Sequence, residues 1–215
     1  MYLSKLHPNL RNSQVRRDLS NPYECHRTLS RAVAGALDRG QERLLWRLEG
    51  TRSPILLIQT WSEPDWEALP REYLTEPAGV KLFAPSLRSG QLLRFLLRAN
   101  PTVTRRSEGL EAEARPKRRG LAGLDEQMAW LERQASKSGF ELKGAMVQSS
   151  ERWRVRRSGD YPALMTLQVV TYQGHLRIGD PEIFRSVLHL GIGHGKAFGL
   201  GLLSVAAASA SLVAG

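Results

Sequence analysis

Between Asn21 and Val33 the sequence reads NPYECHRTLSRAV, and it brings a tyrosine, a histidine, a serine and two arginines into one short stretch. These side-chain types cover the main tasks of proton-transfer chemistry on an anionic substrate. Histidine titrates near neutrality and suits either proton donation or acceptance. A tyrosine hydroxyl can donate, accept or orient. Arginine can hold a phosphate and stabilise developing negative charge, but it cannot serve as a base. At about 100° per residue, Tyr23, His26, Arg27 and Ser30 share one broad helical face, with Arg31 at its margin. Cys25, Leu29, Ala32, Val33 and Ala36 take the other side. The stretch therefore reads either as the wet face of a surface helix or as a reactive face opposite a packing face.

The elements that must position this face follow from periodicity and turn signals. Asn21 can cap a helix and Pro22 suits its first turn, so a helix is expected over 23–40 with a stop at Gly40. MYLSKL reads as a preceding strand, and NSQVRRDLSNP between the two reads as polar and turn-rich. RLLWRLEG and PILLIQTW follow as strands, EPDWEALP as a short helix and VKLFAP as a strand. The second half repeats this order. GQLLRFLLRANP is a strand, and GLDEQMAWLERQASKSGF is a helix with Leu124, Met128 and Leu131 at helical spacing. LKGAMVQ through RWRVRR and ALMTLQVVTYQGHLRI are strands. DPEIFRSVLHL is a helix opened by Asp180 and Pro181, and GLGLLSVA is a last strand. The expectation is an α+β chain of two tandem ferredoxin-like (RRM-like) βαββαβ domains, 1–88 and 89–215. The polar run RRSEGLEAEARPKRRG reads as a long loop within the second domain.

The chain of 215 residues carries 31 Lys and Arg against 21 Asp and Glu, a formal net charge of +10, and most of the cations are arginine. That balance points to a polyanion, with nucleic acid ahead of an anionic membrane surface. Strand alternation puts Arg94 and Arg98 on one face of QLLRFLLRANP. In RWRVRR it puts Arg152, Arg154 and Arg156 on one side and Trp153, Val155 and Arg157 on the other. With Arg115, Lys117, Arg118 and Arg119 of the loop, the charge is regional, which favours RNA or DNA over a merely solvated edge strand. A single cysteine, Cys25, excludes an internal disulfide. No secretory signal is evident, and the apolar tail LLSVAAASASLVAG falls short of a membrane span, so a cytoplasmic chain with no membrane partner is expected. No His, Cys or carboxylate group has metal-ligand spacing, so neither a metal nor another cofactor is expected.

GIGHGKAFGLG, from Gly191 to Gly201, is neither a P-loop nor a dinucleotide fingerprint. It can serve as a backbone cradle for phosphate with Lys196 adding charge, or as a tight turn whose glycines serve packing. Its spacing, Gly191-Ile192-Gly193, five residues, then Gly199-Leu200-Gly201, resembles the glycine-rich loop of the RAMP proteins of CRISPR systems. Together with MYLSKL, YECHRTLSRA, LRANP, MAWLER and GKAFGLGLLSVA, it resembles the CasE family, the repeat-processing endoribonucleases of the type I-E Cascade complex.

That resemblance implies tandem ferredoxin-like domains and binding of the repeat hairpin in precursor CRISPR RNA. It implies cleavage at the 3′ base of the stem without a metal, by 2′-OH attack giving a 2′,3′-cyclic phosphate and a 5′-OH. The mature RNA is then retained in a complex with other Cascade proteins. The family's catalytic tyrosine and histidine fall on Tyr23 and His26, and its lysine position falls on Arg31, which keeps the charge but not a proton-transfer role. Arg27, Ser30, Arg98, Lys117, Arg118, Arg154, Arg156, Arg157 and Lys196 are the expected RNA-binding residues. A non-catalytic RNA-binding RAMP subunit is the alternative.

Overall fold

The computed structural model describes residues 1–34, 43–50, 52–105, 117–157 and 163–208. The first half contains β1 (Tyr2–Leu6), α1 (Ser13–Ser20), α2 (Pro22–Leu29), a 3-10 turn (Ser30–Val33), β2 (Leu45–Glu49), β3 (Ile55–Thr60), a second 3-10 turn (Trp66–Ala68) and β4 (Gly79–Leu82). The second half contains β5 (Leu92–Ala99), β6 (Thr102–Arg105), β7 (Lys117–Gly120), α3 (Leu124–Lys137), β8 (Phe140–Arg157), β9 (Ala163–Ile178), α4 (Pro181–Leu190), a 3-10 turn (Lys196–Phe198) and β10 (Leu203–Ala207). The two four-stranded sheets have the orders β2-β3-β1-β4 and β10-β5-β9-β8, with every pair antiparallel. Counted within each four-stranded sheet, both orders are fourth-first-third-second, the ferredoxin-like arrangement expected from the sequence.

Each sheet buries its own core. Leu6, Val15, Cys25, Leu29, Leu56, Ile58 and Tyr73 pack in the first half, and Leu97, Trp130, Leu131, Tyr172, Leu176, Phe184 and Leu188 in the second. Alternation drives this in β5, where Leu93, Phe95, Leu97 and Ala99 are buried while Arg94 is exposed.

Local structure departs from the sequence reading at several points. NSQVRRDLSNP is not a turn region but contains α1, because the Asn12 side chain accepts from the Gln14 and Val15 amides and Val15 and Asp18 are buried. The α-helical part of the next helix ends at Leu29 and tightens into the 3-10 turn. There the Ser30 hydroxyl donates back to the His26 carbonyl (2.8 Å), a bond that competes with regular helix propagation. The expected stop at Gly40, and Ala36, lie outside the described residues. EPDWEALP supplies only one 3-10 turn, capped by Asp65. In α3 the inward stripe is Gln127, Trp130, Leu131 and Ala135, while Leu124 is exposed at the first turn.

The expected loop 105–120 has paired ends. Arg105 faces Lys117 and Val103 faces Arg119 across the β6–β7 hairpin, so Lys117 and Arg118 are strand residues. Arg115 and the end of the apolar tail, 209–215, lie outside the described residues.

The halves are joined by buried polar contacts. The Arg47 guanidinium, 2% exposed, donates to Glu49, to the Leu202 carbonyl (3.3 Å) and to the Ser204 hydroxyl (3.1 Å). Gln59 Nε2 donates to the Leu188 carbonyl (2.6 Å), and Arg98 Nη1 to the Leu48 carbonyl (2.9 Å). A buried arginine needs such partners, since an unpaired interior charge is costly.

Candidate active site

Helix α2 begins sharply. Asn21 accepts from the Tyr23 amide (3.2 Å), and Pro22 follows at the first helical position. A cap of this kind stabilises a helix by about 1 kcal/mol. Glu24, Cys25, Thr28 and Leu29 are buried, whereas Arg27 and Arg31 are exposed and Tyr23, His26 and Ser30 are half-buried. The two faces expected from the helical spacing are thus present, and Tyr23, His26, Arg27, Ser30 and Arg31 are brought together on α2 and its 3-10 extension.

Their states differ. His26 Nδ1 is buried and has no hydrogen-bond partner among the described residues. Burial lowers the His26 pKa to about 4, so the imidazole is neutral at pH 7. Arg27 pairs with Glu24 one turn earlier (2.9 Å). Arg31 makes no ion pair among the described residues. The Ser30 hydroxyl is engaged with the backbone, as described above. The face thus offers a neutral imidazole able to accept a proton, a phenol beside it and a cation open to an anion.

The second half roofs this helix. The Tyr23 ring lies 6.2 Å from that of Phe198, tilted by 37°. Tyr23, Trp153 and Met165 pack around a small cluster of Val155, Leu167, Val169, Phe198 and Leu200. The outer part of the β8–β9 hairpin therefore reaches across to α2. Because Trp153 and Val155 turn toward that cluster, the exposed Arg152, Arg154 and Arg156 project from the opposite face of β8. The arginine row exists as expected, and Arg152 and Arg154 line a cavity together with Ser20, Pro22 and Cys25 at the start of α2. Arg157 ends β8, paired with Ala163.

Two expected RNA contacts are held by the protein itself. Arg98 is half-buried and bridges the Leu48 carbonyl and the Thr171 hydroxyl (3.3 Å). Lys196 Nζ donates to the Gly193 carbonyl (2.6 Å), and burial together with Arg43 lowers its pKa. The glycine-rich stretch serves packing. Gly199, at φ 75°, lies so close to Trp46 that a Cβ there would come within 3.0 Å of the indole, and a Cβ on Gly191, at φ 71°, would meet the Gly201 carbonyl at 2.8 Å. The stretch thus forms a tight turn where the two halves meet, with Lys196 bonded within it.

Among the other histidines, His7 pairs with Glu76 (3.3 Å), and the His189 ring lies 4.3 Å from that of Trp61, tilted by 55°. His194 has its pKa lowered by partial burial and by Arg118 and Lys196. His175 Nε2 is buried without a partner among the described residues, far from α2 in the β5–β9 ladder opposite Arg94. No group of three or more His, Cys, Asp and Glu suited to a metal occurs among the described residues. No described helix is long and apolar enough to cross a membrane. Sequence reasoning missed Phe198 as a ring partner of Tyr23. It also missed Asp18, which sits behind α2 in a stretch read as turn.

Comparison with known proteins agrees with this architecture. The profile of the family described as CRISPR associated protein matches residues 1–207. The chain is 45% identical over 218 aligned residues to the CRISPR-associated endoribonuclease Cse3 of Thermus thermophilus, covering 96% of this chain and 100% of that protein. A solved structure of the CRISPR endoribonuclease Cse3 bound to a 19-nucleotide RNA superposes with a TM-score of 0.84 at 44% identity, over 96% of this chain and 100% of that one. Cas6e from Escherichia coli K-12 matches with a TM-score of 0.71 at 25% identity, over 97% of this chain and 100% of that one. The chain belongs to the CRISPR-associated protein family that includes Cse3 and Cas6e.

Proposed function

We propose that the chain is a cytoplasmic endoribonuclease that binds the repeat stem-loop of precursor CRISPR RNA and cuts at the 3′ base of the stem without a metal. It then keeps the mature RNA as a subunit of a Cascade complex, with residues 1–88 carrying the catalytic helix and 89–215 the basic hairpins. The observation that carries this reading is the polar face of α2, where a neutral, half-buried His26 stands with Tyr23 and with Arg31, which is unpaired among the described residues. The similarity to an RNA-bound Cse3 supports it.

In this mechanism the 2′-OH at the cut site attacks the adjacent phosphorus, and His26 accepts its proton. The bond to the 5′-oxygen breaks, that oxygen takes up a proton from water, and the products are a 2′,3′-cyclic phosphate and a 5′-OH. Tyr23 orients the 2′-OH, and its own place is fixed by Phe198. Arg31 holds the scissile phosphate, joined by Arg27 when its contact with Glu24 is shared. Approach of the phosphate raises the His26 pKa from about 4 toward neutrality, which strengthens it as a base. Arg154, Arg156 and Arg157, with Lys117 and Arg118 of the second hairpin, grip the RNA stem. Ser30, Arg98 and Lys196 support the RNA-binding surface while each keeps a bond within the protein, and Arg98 and Lys196 have further N–H donors for phosphate.

A repeat hairpin incubated with the protein in EDTA, beside the same hairpin carrying a 2′-deoxy residue at the cut site, tests this. Cutting of the first alone is expected. Cutting of the deoxy hairpin sinks the 2′-OH mechanism, and binding without cutting of either identifies an RNA-binding subunit instead.

A further inference from the structure

We infer that Asp18 is a positioning residue for the reaction, holding α2 at the rotation that presents Tyr23 and His26 through its hydrogen bond to Thr28; this rests on the endoribonuclease reading above. Asp18 lies near the end of α1 and is 0% exposed. Its carboxylate gathers donors from three segments. Thr28 Oγ1 on α2 donates to Oδ2 at 2.7 Å, the Tyr73 hydroxyl donates to the same oxygen at 3.1 Å, and Arg17 donates to Oδ1 at 3.2 Å. The backbone adds a further tie, because the Asn21 amide donates to the Asp18 carbonyl (3.2 Å) at the junction of α1 and α2. Cys25, also 0% exposed, sits beside this group, and burial followed by the Asp18 charge raises its thiol pKa, so it stays protonated.

A buried carboxylate is costly unless its lone pairs are filled, and here they are filled by side chains whose positions fix a helix. Thr28 and His26 are two residues apart, about 200° around the helix axis. The bond on the buried side therefore sets the azimuth of the reactive side. A rotation of about 15° would carry a ring about 6 Å from the axis through about 1.5 Å. A displacement near 1 Å can lower a rate by about a hundredfold. A single short bond from Thr28 thus governs geometry at groups it does not touch. Leu29 packing alone would leave α2 freer to rotate, since apolar contacts are not directional.

The test pairs Thr28→Val, which keeps the shape and removes the donor, with Thr28→Ser, which keeps the donor. Both are compared with Asp18→Asn below their melting temperatures. Binding is measured on a hairpin with a 2′-deoxy cut site, and chemistry by single-turnover cleavage. We expect Thr28→Val to bind this RNA as the wild type does but to cut about tenfold more slowly, and Thr28→Ser to recover most of the rate. The His26 pKa, followed by NMR without RNA, should rise from about 4 toward the ordinary 6.5 in Thr28→Val as its burial loosens. Asp18→Asn should show the larger change in both readouts.

A Thr28→Val protein that cuts at the wild-type rate with an unmoved His26 titration overturns the positioning role, whatever its melting temperature. A wild-type chain that binds but never cuts overturns the endoribonuclease reading instead, and the NMR titration still reports on the clamp in that case.

Discussion

The polar face of α2 and the glycine-rich stretch from Gly191 to Gly201 meet at the contact of Tyr23 with Phe198, yet their polar groups are disposed in opposite ways. On α2 the His26 Nδ1 is buried without a partner among the described residues, and Arg31 is exposed and unpaired among them. In the glycine-rich stretch Lys196 is turned back onto the Gly193 carbonyl, and the glycines sit where Trp46 and the Gly201 carbonyl leave no room for a Cβ. The α2 face carries no dense motif and retains free chemical capacity. The glycine-rich stretch has the composition of a phosphate loop, but its glycines are packed against Trp46 and Gly201 and its lysine is bonded within the stretch. An unsatisfied titratable group standing with a phenol and an open cation, more than motif density, marks the reactive face.

This contrast can be attacked from both sides. The largest expected effect is from His26→Ala, which should lower single-turnover cleavage by about 10²–10⁴-fold while binding of an uncleavable hairpin is retained. A loss of binding with intact chemistry per bound complex would move His26 out of the reaction. Gly191→Ala comes next. A left-handed backbone and a contact with the Gly201 carbonyl should cost about 2–4 kcal/mol in chemical denaturation. An unchanged midpoint would return the stretch to the phosphate-cradle reading.

Arg154→Ala should weaken RNA binding evenly across stem sequences and reduce the slope of log affinity against log salt by about 0.9. It should leave the cleavage rate of bound RNA unchanged, because a guanidinium on the stem's phosphates takes no part in proton transfer.

The His26 environment also makes stability depend on pH. Its folded pKa of about 4 lies below the ordinary 6.5, so between those values the unfolded chain binds more protons. Stability contributed by the neutral ring is complete above about pH 6.5 and falls as pH drops toward 4. Urea midpoints at pH 7 and 4.5 should converge in His26→Gln relative to wild type. The smallest effect belongs to Lys196→Met, which removes one hydrogen bond and should cost about 1 kcal/mol of stability, with RNA affinity lowered less than by Arg154→Ala. If it weakened RNA binding as Arg154→Ala does, the contrast between the regions would fail.

Much of the architecture is legible in the sequence, because strand alternation and caps are local signals. The capping pair Asn21-Pro22 marks the start of α2, and the leucines of β5 declare their face. The α1 helix is hidden because NSQVRRDLSNP has the composition of a turn, and the Asn12 cap with the burial of Val15 and Asp18 makes it a helix. The reactive face of α2 can be drawn from its spacing. The inward bonds of Arg98 and Lys196, and the Asp18–Thr28 contact, depend on how separate elements pack and leave no periodic trace.

The β8–β9 hairpin has a consequence for what mutation can do to this protein. Its strands of 18 and 16 residues run from the core of the second half to the roof over Tyr23, and their outer part assigns its residues to two opposite faces. Insertion or deletion of one residue between Ser150 and Val155 would invert the phase, sending arginines into the Phe198 cluster and Trp153 outward. The irregularities at Leu142/Ala145 and Val147/Ser149 lie upstream, where a shift in register has already been absorbed. Length changes should accordingly be tolerated before Ser149 and selected against beyond it, so this hairpin can vary in composition far more readily than in frame.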